Sequence, residues 1–231
     1  MTMIVGMSLQ TYFSIQHVQA AAYFSRKVSR LERHFGAGPM PPTVAVIGKG
    51  YVSTALFTSV AFLEALANEL FADAEMPDGG HLSILGRQPL SLIADVGNVE
   101  SVEKAAVMSK FDLLLRLANR EPIERDRNPS QDLATMIRLR NELVHYKAEF
   151  FDVGTEGMVR PGNFTESKLA RQIVGKFAHR ANSSGAEADS WLGAGCAQWA
   201  VRSAIAYTDE VFRRLGIVPL YDHVRGNLSE A

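Results

Sequence analysis

The stretch "TVAVIGKGYVST", Thr43 to Thr54, decides how the chain is read. An apolar run leads into Gly48 and Gly50, and a helix-like segment follows. This is the outline of a strand, a phosphate-binding turn and a helix in a dinucleotide-binding α/β unit. That fingerprint places a third glycine at position 53, where the chain has Ser53. It also needs a second strand ending in an acidic residue about 20 residues later. The next segment, Val52 to Asp73 ("VSTALFTSVAFLEALANELFAD"), is instead one long apolar helix pattern with no strand after it. The glycines therefore read as a turn entering a helix, and the fold class turns on the helices around it.

Working outward, helical periodicity dominates. Ser14 to Arg33 has no Gly or Pro, repeats apolar residues every three to four positions, and meets a stop at Gly36. Residues 36–50 are rich in Pro and Gly and read as a connection, as does 151–164, while 77–100 fits short helical turns or an irregular loop. Ser101 to Asn119 forms the next helix. Asn128 and Pro129 predict an N-cap followed by proline at the first helical position, opening a helix that runs to about Phe150. Thr165 opens another, and Ser190 to Leu215 is the last long one, with Gly216 as its C-cap. The expectation is a single all-α domain over residues 1–231, its core at about 14–215, built as a bundle of about six helices.

Composition narrows the function classes. Lys plus Arg number 24 and Asp plus Glu 25, a formal net charge of -1, so contact with nucleic acid must come from a local basic patch rather than from the whole surface. The single cysteine, Cys196, excludes an internal disulfide and sits in the small-residue run "GAGCAQWAV", which reads as a buried core thiol. "MTMIVGMSLQ" lacks the basic start of a signal peptide, and no stretch of 18 uncharged apolar residues marks a membrane span. A cytoplasmic protein without membrane contact is expected. The histidines His17, His34, His81, His145, His179 and His223 show no metal-ligand spacing, so neither metal nor cofactor is expected. Trp191 and Trp199, eight apart, read as core or dimer interface.

The chemistry-bearing stretch is "IRLRNELVHYK", Ile137 to Lys147. On a helical wheel of about 100° per residue, Leu133, Met136, Ile137, Leu143 and Val144 form an apolar stripe with Arg140 near its middle. Arg138, Asn141 and His145 line one flank within about 60° of one another. A charge inside an apolar stripe must be paired or must face a cleft, because burying it alone costs several kcal/mol. One reading pairs Arg140 with Glu64, which also lies in an apolar helix. The other makes Arg140 a phosphate-binding residue with His145 as acid or base.

"RNELVHY" resembles the motif of HEPN domains, an Arg, a polar residue that is usually Asn, a short spacer and a His. Here these are Arg140, Asn141 and His145, in a late helix of an all-α chain. The resemblance implies a helical bundle that commonly pairs as a homodimer. It implies a metal-independent endoribonuclease or RNA-binding protein, of the kind that serves in stress or phage defence. Carried over, His145 is the general acid/base, Arg140 holds the scissile phosphate, and Asn141 orients His145 or the phosphate; Arg138 and Lys147 are the additional RNA-binding candidates. In the family's toxin branch a Tyr follows one residue after the His, whereas Tyr146 is directly adjacent, so it takes no role here. The alternative is a non-catalytic helical interaction or scaffold domain in which Arg140 belongs to a structural ion pair.

Overall fold

The structure is a computed structural model that describes residues 11–36, 38–76, 78–145, 168–179 and 191–228. It is all-α, with no strand among the described residues. The first helix, α1 (Ser14–Phe35), buries Val18, Ala21, Ala22, Ser25 and Val28, a stripe of mostly small side chains that lets its neighbours approach closely. Its end is the predicted one: Gly36 stands at φ 55 and its N–H bonds the carbonyl of Glu32.

The second helix, α2 (Pro42–Asp73), runs for 32 residues. It contains the whole of "TVAVIGKGYVST", which corrects both the turn read at Gly48 and Gly50 and the loop expected over 36–50. The connection ends at Pro41, and Pro42 opens the helix with a φ already suited to it. Gly48 is buried within α2, where an added Cβ would lie 3.0 Å from the Leu31 side chain of α1. The glycine thus serves close helix packing. Val and Ile are mediocre helix formers, but packing on both flanks of α2 outweighs that weak preference.

Around α2 pack α1 and α8 (Ala194–Leu215), then α3 (Arg87–Gly97), α5 (Val107–Leu117) and α6 (Ser130–Val144). Val52, Leu56, Phe62, Leu63, Leu66 and Leu70 of α2 are completely buried among them. An 18-residue window of α2 has mean hydropathy 1.4, long and apolar enough to cross a membrane, and 44% of that window is buried inside the bundle.

Residues 77–100 are mostly helical: a 3-10 turn at Gly80–Leu85, then α3, then the single turn α4 (Glu100–Glu103). The helix expected over 101–119 is broken between α4 and α5, where Ala106 turns to ψ 138. The start of α6 lies one residue later than expected, with Pro129 itself at the N-cap. Its end comes earlier, at Val144 rather than near Phe150. Among the described residues the helix expected from Thr165 is α7 (Lys168–Ile173), closed by a turn that holds Gly175 at φ +77, where side chains are disfavoured. The segment 151–164 lies outside the described residues.

The last long helix begins at Ala194, so Trp191 precedes it. Both Trp191 and Trp199 are buried. Gly195 sits where a Cβ would come within 2.2 Å of the Ala178 carbonyl, so only glycine fits against the segment that follows α7. Gly216 caps α8 in the left-handed conformation, as expected. Cys196 is fully buried, and burial pushes its thiol up to about 12, away from nucleophilic use. After a final turn at Asp222–Val224, α9 (Arg225–Leu228) packs against α1, while Tyr221 donates to Asp209 of α8 at 2.6 Å and Arg225 pairs with the same carboxylate.

Candidate functional site

The exposed end of α6 carries the motif residues. Leu133, Met136 and Leu139 are buried and anchor the helix on α2 and α8. That anchoring turns Arg138, Asn141, Glu142, Val144 and His145 outward. Val144, read as part of the apolar stripe, is 53% exposed, which corrects its placement. The helix ends at Val144, and the N–H of His145, its C-cap, bonds the Asn141 carbonyl at 2.8 Å. Asn141 and His145, four apart, therefore share the same exposed corner.

Arg140 is half-buried. Its Nε is shut off from solvent and has no hydrogen-bond partner. Among the described residues no carboxylate forms an ion pair with it. The pairing with Glu64 does not form. Glu64 Oε2 lies 3.7 Å from Lys110 Nζ, and Asn68 Oδ1 accepts from the same ammonium at 2.8 Å. Lys110 has a side chain only 4% exposed, so it is the deeper cation and has the stronger need of a counter-charge.

Arg138 donates to Gln172 Oε1 of α7 at 2.8 Å, and Lys176 pairs with Asp132 of α6. These two contacts seat α7 along the flank of α6 beside the motif. Lys147 and Tyr146 lie outside the described residues. No group of three or more metal-ligating side chains occurs among the described residues. The arrangement of α6 offers an imidazole at the surface, an amide on the same face and a guanidinium rising from the core, one turn apart.

A second polar cluster lies at the other end of α2, and the sequence reading missed it. Asp73 is completely buried and accepts from Tyr12 Oη at 2.5 Å, while His81 Nδ1 lies 2.8 Å from its other oxygen. One turn earlier, Glu69 Oε1 accepts the N–H groups of Phe13 at 2.6 Å and Ser14 at 2.8 Å. Burial, followed by the bond to Asp73, raises the Tyr12 phenol well above its ordinary value. The carboxylates fasten the start of α1 and the Gly80 turn onto α2, so the cluster is a clasp. Its signal in the sequence is the pair Glu69 and Asp73, four apart on an apolar helix.

Comparison with known proteins found no matching family model, no matching curated protein and no matching solved structure.

Proposed function

We propose that this chain acts on RNA as a HEPN-like, metal-independent endoribonuclease, with Arg140, Asn141 and His145 as its working residues and a homodimer as its working form. The observation that carries the reading is the motif corner itself: Asn141 and His145 are exposed on one face, and the neighbouring Arg140 has no carboxylate partner among the described residues. A structural ion pair would have tied that guanidinium to an acid.

RNA supplies its own nucleophile. The 2′-OH attacks the adjacent phosphorus, and the bond to the 5′-oxygen of the next nucleotide breaks. His145 takes the proton from the 2′-OH or returns one to the leaving oxygen, which an imidazole does near neutral pH. Arg140 steadies the charge that gathers on the phosphate oxygens, and Asn141 orients the imidazole or the phosphate. The products are a 2′,3′-cyclic phosphate and a free 5′-hydroxyl.

The enclosed Nε of Arg140 favours one competing reading, a non-catalytic interaction domain in which this side chain is mainly a packing element. Incubating the purified protein with single-stranded RNA and the matching DNA in chelator separates the two. The expected result is cleaved RNA with cyclic phosphate ends and intact DNA, which lacks the 2′-OH. His145→Ala is expected to lower the rate by about 10²–10⁴-fold. RNA left whole by the wild-type protein at micromolar concentration would overturn the ribonuclease reading.

A further inference from the structure

We propose that the outer face of α1 is a binding surface for the backbone of a single-stranded nucleic acid, with RNA as its ligand. The choice of RNA rests on the reading above, whereas the surface is argued from α1 alone. Arg26, Lys27, Arg30, Arg33 and His34 follow Tyr23 at helical spacing. On the wheel these six residues fall within about 120° of one another. Val18, Ala21, Ala22, Ser25 and Val28, which face the core, form a separate stripe centred about 140° away. From Tyr23 to His34 the row is about 16 Å long at 1.5 Å per residue, long enough to meet several phosphates.

The charges in this row are unrelieved. The helix carries four Lys/Arg and one acid, Glu32, in a chain whose formal net charge is -1. Glu32 is turned away from them, its Oε1 accepting the Ala194 N–H at the start of α8. Among the described residues none of Arg26, Lys27, Arg30 and Arg33 pairs with a carboxylate; Arg26 and Arg33 bond only the backbone carbonyls of Asn227 and Ser29. Elsewhere Lys110, Arg125, Lys176, Arg213, Arg214 and Arg225 are each held by an acid, and the cations left without one among the described residues, such as Arg87, Arg116, Arg138 and Arg140, do not form a row of four on one helix as these do.

The helix dipole explains cations in the last turn, Arg33 and His34, but acts only within that turn. Arg26, Lys27 and Arg30 lie further in, where like charges three and four apart repel one another along the helix face. A phosphate backbone relieves that repulsion. The exposed Tyr23 ring, 48% accessible with Lys27 Nζ 5.2 Å from its centre, adds the stacking face that single strands use. The motif helix α6 packs on α2, α7 and α8, so this face is separate from the motif corner.

The test is fluorescence anisotropy of a short labelled single-stranded RNA titrated with the full chain at several salt concentrations, in chelator. The triple variant Lys27→Gln/Arg30→Gln/Arg33→Gln is expected to bind about tenfold more weakly or worse, with a log–log salt slope shallower by about 2, given about 0.7 per lost phosphate contact. Its thermal midpoint should stay close to the wild type's, since beyond one long bond to the Ser29 carbonyl and the Tyr23 ring these side chains hold nothing else. Tyr23→Ala should weaken binding about tenfold without changing the slope. A control pair, Arg87→Gln/Arg116→Gln, should bind as the wild type does. Wild-type affinity and slope in the triple variant would overturn the proposal, as would binding to phosphatidylserine vesicles in preference to RNA, or no RNA binding at low salt. RNA bound through α1 but never cleaved would leave this surface standing and refute the ribonuclease reading. Cleavage with the triple variant binding normally would do the opposite.

Discussion

Glu64 Oε2 lies 3.7 Å from Lys110 Nζ, and the two side chains differ sharply in exposure, 37% for the acid and 4% for the lysine. The interaction is therefore lopsided. Removing the acid strands a buried ammonium that retains only Asn68. Removing the ammonium leaves a carboxylate that reaches water. Glu64→Ala is expected to cost about 3 kcal/mol, whereas Lys110→Met, which keeps the buried stem, should stay within about 1 kcal/mol of the wild type. Urea unfolding of the two variants checks this, and equal losses would contradict the asymmetry.

Arg140 behaves differently because it has no acid to strand among the described residues. Arg140→Ala loses the packing of a half-buried stem and little else. The expected loss is about 1 kcal/mol, well short of the roughly 3–5 kcal/mol that follows from breaking a buried ion pair. The same substitution should abolish RNA cleavage. A variant that unfolds at much lower denaturant than the wild type would instead favour Arg140 as a structural residue.

Much of this arrangement was legible in the sequence, and the parts that were not share a cause. The all-α class followed from periodicity, and Gly36 and Gly216 marked helix ends because only local backbone geometry was involved. The exposed flank of Arg138, Asn141 and His145 followed from spacing in the same way. Partners set by tertiary packing did not. Gly48 looked like a turn because its neighbour Leu31 lies in another helix. Glu64 looked like a match for Arg140 because nothing in the local sequence shows that Lys110 faces it across α5 and α2. The Tyr12, Asp73 and His81 clasp joins positions up to 69 residues apart, a juxtaposition that no spacing rule reaches.

Acid should weaken the bundle through Glu210. Its carboxylate is bonded first by Arg213 and then by Arg214, against the opposing effect of burial, and its pKa falls to about 2. The folded value lies below the unfolded one near 4.5, so the contribution is complete above about pH 5 and is lost as pH falls toward 2. With a side chain 21% exposed, the contribution is about 2 kcal/mol after allowance for solvent screening. Arg214 also holds the Glu121 and Pro122 carbonyls, so the loss loosens the approach to α6. Glu210→Gln should flatten the fall in urea midpoint between pH 5 and pH 2; a slope equal to the wild type's would show that other carboxylates govern acid unfolding.

Alkali should act through three tyrosines. Burial raises the phenols of Tyr12, Tyr207 and Tyr221, with Asp73 adding to the first, Asp112 to the second and Asp209 to the third. A folded value above the unfolded one near 10 means that the stabilisation is complete below pH 10 and declines as pH rises beyond it, because only the unfolded chain can release the protons. Absorbance at the phenolate band should therefore rise in two stages. At least three of the six tyrosines should stay protonated until the helical circular dichroism collapses. Tyr12→Phe should cost about 2 kcal/mol at neutral pH, since it removes a hydrogen-bond donor from the buried Asp73 carboxylate. It should also speed hydrogen exchange at Phe13 and Ser14, whose amides the neighbouring Glu69 holds. All six tyrosines ionising together with the helices intact would refute the burial assigned to Tyr207 and Tyr221. Unchanged exchange at Phe13 and Ser14 in Tyr12→Phe would show that Glu69 fastens α1 without help from the Asp73 clasp.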